Sequence, residues 1–172
     1  MRPSVLEKAW EEFREWKAHD KVKRYDTFAV VDFGLHSSLK RLYIIDVGKK
    51  TIISSHHTAH GRGSSDPRDP GMAITFSNRF NSHCSSLGAV STGSVYYGKF
   101  GRSLRLHGLE KGLNDNIFMR TIVLHGSNYV NDRYIKVTGR CGQSWGCLAT
   151  DYAVKDGIVD QLKDGCFIWL SK

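Results

Sequence analysis

Apolar positions recur at a helical period near the N-terminus, where Leu6, Trp10, Phe13 and Trp16 fall on one face, and Ser4 with Glu7 three residues on has the form of a capping box. The pattern predicts an amphipathic helix over residues 4–19, whose aromatic face either packs on the core of its own chain or docks a partner. The period then changes. Thr27–Phe33 and Arg41–Val47 are β-branched and aromatic runs of strand length, and Gly48-Lys49-Lys50 turns the second into Thr51-Ile52-Ile53, so a β-meander opens the domain. From Gly61 to Gly112 nine glycines punctuate short apolar pieces, which predicts short strands joined by long ordered loops of the kind that build sites. Arg120–His125 reads as a later strand and Cys166–Leu170 as the strand that closes the sheet. Val154, Ile158 and Leu162, ended by Gly165, mark a helix between them. The predicted architecture is mainly β, a sandwich or open barrel with the N-terminal amphipathic helix and one or two peripheral helices. It is a single domain over residues 1–172, with 1–24 the helix and its lead-in and 25–172 the β-rich core.

Composition narrows the class. With 172 residues, 40% of them apolar and 24% charged, the chain can fill one core. No apolar stretch approaches the 18–20 or so residues of a bilayer span, so no integral membrane segment is expected. The 25 Lys and Arg against 17 Asp and Glu give a net charge of +8, a field that attracts polyanions. The excess sits mid-chain, where Leu87–Thr150 holds eight basic and three acidic residues, singly spaced among Gly and Ser. That spacing lacks the stripe or stacking module of a nucleic-acid binder, and none is predicted. Cys84, Cys141, Cys147 and Cys166 contain no C-x-x-C pair and are too sparse for a disulfide scaffold. Met1-Arg2-Pro3, followed by Glu7, Lys8, Glu11 and Glu12, leaves no room for the apolar region of a signal peptide, so none is expected within the chain.

Several motifs fail on chemistry. Gly93–Lys99 matches most of a phosphate-binding loop, yet Phe100 stands where a Mg²⁺-binding hydroxyl is needed. His56, His57, His60 and His83 fit no zinc spacing, and no metal site is predicted. Gly142–Gly146 satisfies G-x-S-x-G, but no His follows His125, so a Ser144 nucleophile would lack its downstream base. Cys147 with His125, 22 residues earlier, is the better pair, because a thiol is already partly thiolate at neutral pH and an imidazole raises that fraction. Gly126 and Gly146 allow unusual backbone beside each.

The run S-W-G-C at 144–147 after V-L-H-G at 123–126 resembles the signature of murein L,D-transpeptidases, cysteine enzymes that remake peptidoglycan cross-links. It resembles more specifically the branch carrying further landmarks, here Ala59-His60-Gly61, Phe76-Ser77-Asn78, Tyr97-Gly98-Lys99, Ser103–Leu106 and Asn114-Asp115, over about residue 28 to the C-terminus. The resemblance implies Cys147 as the acylated nucleophile and His125 as the base. It implies a backbone carbonyl from Gly126 or a neighbour orienting the imidazole, Gly146 and Cys147 N–H as oxyanion donors, and Ser144 shaping the turn. It places His60, Tyr97, Arg140 and Trp145 in a substrate groove. Two positions depart from the branch pattern: Gln143 stands where Arg precedes the serine, and Leu148 where Pro follows the cysteine, which bears on how a substrate carboxylate is held. Cys141 is either a buried small hydrophobe or a thiol able to form a regulatory disulfide.

The implied reaction is acyl transfer on peptidoglycan stem peptides through a Cys147 thioester, by a monomer needing neither cofactor nor metal, in the periplasm or cell wall. With no signal peptide read, a processed chain or delivery by a phage or toxin route is implied. The same residues with water as acceptor would make an L,D-carboxypeptidase or endopeptidase. A third possibility is a wall-binding module without catalysis.

Overall fold

The computed structural model describes all 172 residues. Helix α1 (Pro3–Trp16) starts before Ser4 and ends three residues short of residue 19. Pro3 sets the start, since a first-turn residue needs no N–H partner. Ser4 caps nothing; Arg2 holds the cap position and fastens the helix to the buried Asp32 carboxylate at 2.6 Å. Strands β1 (Thr27–Asp32), β2 (Leu42–Asp46) and β3 (Thr51–His56) form the expected antiparallel meander. The glycine-rich middle divides in two. Residues 57–87 are largely loop, whereas β4 (Gly88–Gly98) and β5 (Gly101–Gly108) make one long ribbon, turned where Gly101 adopts φ +72°.

Strand β6 (Val123–Ser127) begins three residues later than Arg120, because residues 117–121 are consumed by turns that end on Thr121 at φ +56°. A short helix α2 (Asp132–Thr138), capped by Asn131 and stopped by Gly139, precedes β7 (Leu148–Asp151), α3 (Tyr152–Leu162) and β8 (Phe167–Ser171). The sheet order is β3-β2-β1-β8-β4-β5-β6-β7. The last strand therefore sits in the middle, parallel to β1, and does not close an edge. Phe167, Ile168 and Leu170 are buried on both faces, as a central strand requires.

The two edges come together by another route. In a flat sheet β1 and β7 would lie about 24 Å apart, yet α3, only about 10–12 Å wide, packs on β1, β5, β6 and β7. The sheet curls around α3, burying Val31, Ile44, Leu104, Leu124, Leu148, Ile158 and Leu162 in one core. The segment leaving β3 then meets the far edge: Ala59 N–H donates to Ala149 O at 2.9 Å, and Gly61 bridges Ser144 in parallel. On the outer face α1 lays Val5, Ala9 and Phe13 on Phe28, Val30 and Phe167, with Phe13 stacked on Phe28 at 4.9 Å. Its apolar face packs on its own chain. No helix is long and apolar enough to cross a membrane.

Candidate active site

Strands β6 and β7 run parallel with Leu124 opposite Leu148 and His125 opposite Ala149. Alternate residues of a strand share a face, so His125 and Cys147, the residue that enters β7, project from the same side of neighbouring strands. Both line a cleft of about 600 Å³, together with Phe100, Arg120, Tyr129 and Trp145. His125 Nδ1 lies 2.9 Å from Gly126 O. A carbonyl oxygen only accepts, so Nδ1 carries the proton and Nε2 keeps a free lone pair. Phe100 stacks on the imidazole at 4.0 Å and pins its plane. Gly126 is required sterically, since a Cβ there would stand 2.3 Å from the Tyr152 ring.

Burial holds His125 below its usual 6.5, against the pull of the Gly126 hydrogen bond. Burial pushes the half-buried Cys147 thiol up from 9.0, opposed by the Val123 N–H and by Arg120. Both shifts favour the uncharged forms, so the resting pair is a neutral thiol and a neutral imidazole. The thiol points to Thr121 O at 3.8 Å, a long and weak contact.

The turn before Cys147 is tied on three sides. Ser144 N–H donates to His60 O at 2.9 Å, Arg62 N–H donates to Ser144 O at 2.8 Å, and Ser144 Oγ donates to Cys147 O at 2.8 Å. Gly146 has φ +113°, and a Cβ there would meet Cys84 O at 2.6 Å. Its N–H is taken by Ser144 Oγ at 3.1 Å, so it is not free for an oxyanion. The N–H of Cys147 donates to no protein atom.

Not every residue expected in the groove lies there. Trp145 does, 70% exposed and stacked on His83 at 4.6 Å. His60 is buried behind the turn: its Nδ1 accepts from Arg41 at 2.7 Å, and its Nε2 lies 3.0 Å from Ser65 Oγ. Desolvation, then Arg41 and Arg140, pull it down to about 3. Gln143 donates to the same Ser65 hydroxyl, which continues the chain from Arg41 to the turn before Cys147. Arg140 sits beyond α2 and bonds Cys141 O, while Tyr97 is 79% exposed near the hairpin tip; neither lines the cleft. Cys141 is buried against Ala59, Val130 and Ala149, and all four thiols are free.

Sequence reasoning missed Phe100, Arg120 and Thr121. In the sequence Phe100 counts only against a phosphate loop, although an aromatic at a hairpin tip is also the signal of a loop that reaches back. Arg120 donates to Ser77 O, Ser86 Oγ, Ser82 Oγ and Cys84 O at 2.7–3.1 Å and so clamps the 77–86 loop over the cleft. No local pattern announces it.

A family model described as "L,D-transpeptidase catalytic domain" matches residues 1–170. The chain belongs to that family. Its fold is similar to the helical cell shape determining protein Pgp2 from Campylobacter jejuni, with a TM-score of 0.52 and 12% identity over 99% of this chain and 56% of that one. It is also similar to an L,D-transpeptidase from Mycobacterium smegmatis, with a TM-score of 0.49 and 11% identity over 86% of this chain and 59% of that one. The L,D-transpeptidase from Stackebrandtia nassauensis gives 0.49 and 11% over 88% and 58%. The chain thus spans under two thirds of each of these proteins. No curated protein matches the sequence. His125 and Cys147 both line the cleft beside β6 and β7.

Proposed function

We propose that this L,D-transpeptidase domain is a cysteine acyl transferase acting on peptidoglycan stem peptides, with Cys147 as nucleophile and His125 as base. The observation that carries the reading is the His125 ring: Gly126 O fixes the proton on Nδ1, leaving Nε2 free to act in the cleft that Cys147 also lines. His125 Nε2 takes the Cys147 proton as sulfur attacks the carbonyl of a stem peptide. The Cys147 N–H donates to the developing oxyanion, the role for which Gly146 N–H is already spent. Collapse of the adduct expels a D-residue amine, which takes the proton from His125. An acceptor amine then gives its proton to His125, attacks the thioester and releases Cys147. The steps call for a thiolate, a base and an oxyanion donor, which the chain's own side chains and backbone supply. A substrate of this kind places the working protein at the cell wall.

Defined muropeptides incubated with the protein in ¹⁸O water test this. Cross-linked dimers that have lost a D-residue, absent with Cys147→Ala, are the expected result. Shortened stems carrying ¹⁸O would replace transfer with hydrolysis, and no change with either protein would favour a wall-binding role.

A further inference from the structure

We propose that the outer face of the β4–β5 ribbon carries a second anion site, centred on Arg105 and separate from the Cys147 cleft, which takes a carboxylate of the wall polymer. The class of polymer rests on the function proposed above; the site itself does not.

The ribbon is irregular at one place. Thr92 pairs with Leu106 and Val95 with Leu104, so Gly93 and Ser94 together oppose Arg105, a bulge that re-aims the side chains around it. Arg105 is held between two rings, 4.4 Å from the Tyr96 centroid and 5.8 Å from that of Phe118. Its guanidinium makes no hydrogen bond and no ion pair with any residue of the chain. A planar guanidinium fixed by stacking with its donors unspent is a ready fork for a carboxylate.

Beside it lies a hollow of about 480 Å³ with no hydrophobic residue in its walls, lined by Ser91, Gly93, His107, Lys21 and Lys23 among others. Gly93 keeps the approach open, since a Cβ there would stand 2.5 Å from His107 Nε2 and 3.4 Å from Arg105 Cβ. Ser91 Oγ is fully buried and has no hydrogen-bond partner, an arrangement that costs stability unless a group from outside completes it. Asp20 and Asp164 also line the hollow and match the two lysines in number, while Arg105, next to it, has no carboxylate partner. His107 is held below 6.5 by burial and then by Lys21 and Arg105, so a positive field reaches this spot. Phe118, stacked on His107 at 4.8 Å, leads directly to Met119 and Arg120 at the cleft wall. A polymer strand engaged at Cys147 can therefore run past Phe118 onto Arg105.

The test uses Cys147→Ala protein and isolated sacculi. Arg105→Gln in that background is expected to lower retention by at least about fivefold, the weight of a charge-assisted bond, with Arg105→Lys intermediate. Carbodiimide amidation of the sacculi should impose the same loss on the parent and none further on Arg105→Gln. If acid extraction of accessory polymers leaves retention intact, the carboxylate belongs to stem peptides; if it abolishes retention, to the accessory polymer. Both results support the site. N-acetylmuramyl tripeptide should raise the His107 titration in the parent and leave it unmoved in Arg105→Gln, a response that a purely structural arginine would not give. Equal retention of parent and Arg105→Gln, or a loss indifferent to amidation, overturns the proposal. Muropeptide turnover by Arg105→Gln with Cys147 intact separates the two readings: retention can fail while transfer persists, and the reverse.

Discussion

Cys147 and His125 rest uncharged because burial acts on each in the direction of its neutral form. On the proposed mechanism, activation of Cys147 is then a proton transfer made when substrate arrives, and a standing ion pair does not supply it. Iodoacetamide alkylation of Cys147 should keep rising with pH through 9, with no plateau near neutrality; a plateau at pH 6–7 would show an imidazolium–thiolate pair instead. Gly146→Ala should destabilise the fold by about 1–3 kcal/mol in urea unfolding, since φ +113° and the neighbouring Cys84 carbonyl leave no place for a methyl group. That Cys147 and His125 come to one cleft, each beside its glycine, was legible in the sequence because the pattern is written within a few residues of each. The place of His60 was not, because what decides it is long-range burial: the same H-G step that reads as a groove landmark is threaded behind the Ser144–Cys147 turn and satisfied by Arg41.

At the scale of elements, the β4–β5 hairpin does for His125 what no neighbour in sequence does. Phe100→Ala removes a stack worth about 0.5–1.5 kcal/mol and lets water reach the ring. The His125 titration, followed by NMR, should then move up toward 6.5, and turnover should fall; an unchanged titration would deny Phe100 its role. Truncating Phe13 to Ala in α1 should cost about 3–5 kcal/mol, read as a lower thermal midpoint, because its ring is buried against Phe28 and Phe167. Helix α1, the meander and α3 were readable from period alone. The place of β8 was not: an apolar run states that a strand is buried but not which strands flank it, and only the parallel pairing to β1 puts it at the centre.

Over the whole molecule, the curled sheet brings the segment after β3 against Ser144 and Ala149, so the site is completed by residues some ninety positions apart. That seam makes stability depend on acid. His60 is held neutral down to about 3 when folded, while the unfolded chain protonates it near 6.5, so the unfolded state binds the extra proton between those values. Its contribution is complete above about pH 6.5 and is lost as pH falls toward 3, at up to about 1.4 kcal/mol per pH unit. Urea midpoints measured across that range should fall, and His60→Gln should flatten the slope while lowering stability at pH 7.5. Acyl transfer through Cys147 is met most directly by intact-protein mass spectrometry after brief mixing with a tetrapeptide stem. The protein should gain the mass of the stem less its terminal D-residue and water, mapped to Cys147 and missing from His125→Ala. A protein that processes the stem with no such adduct on Cys147, or an adduct undiminished in His125→Ala, would contradict the mechanism.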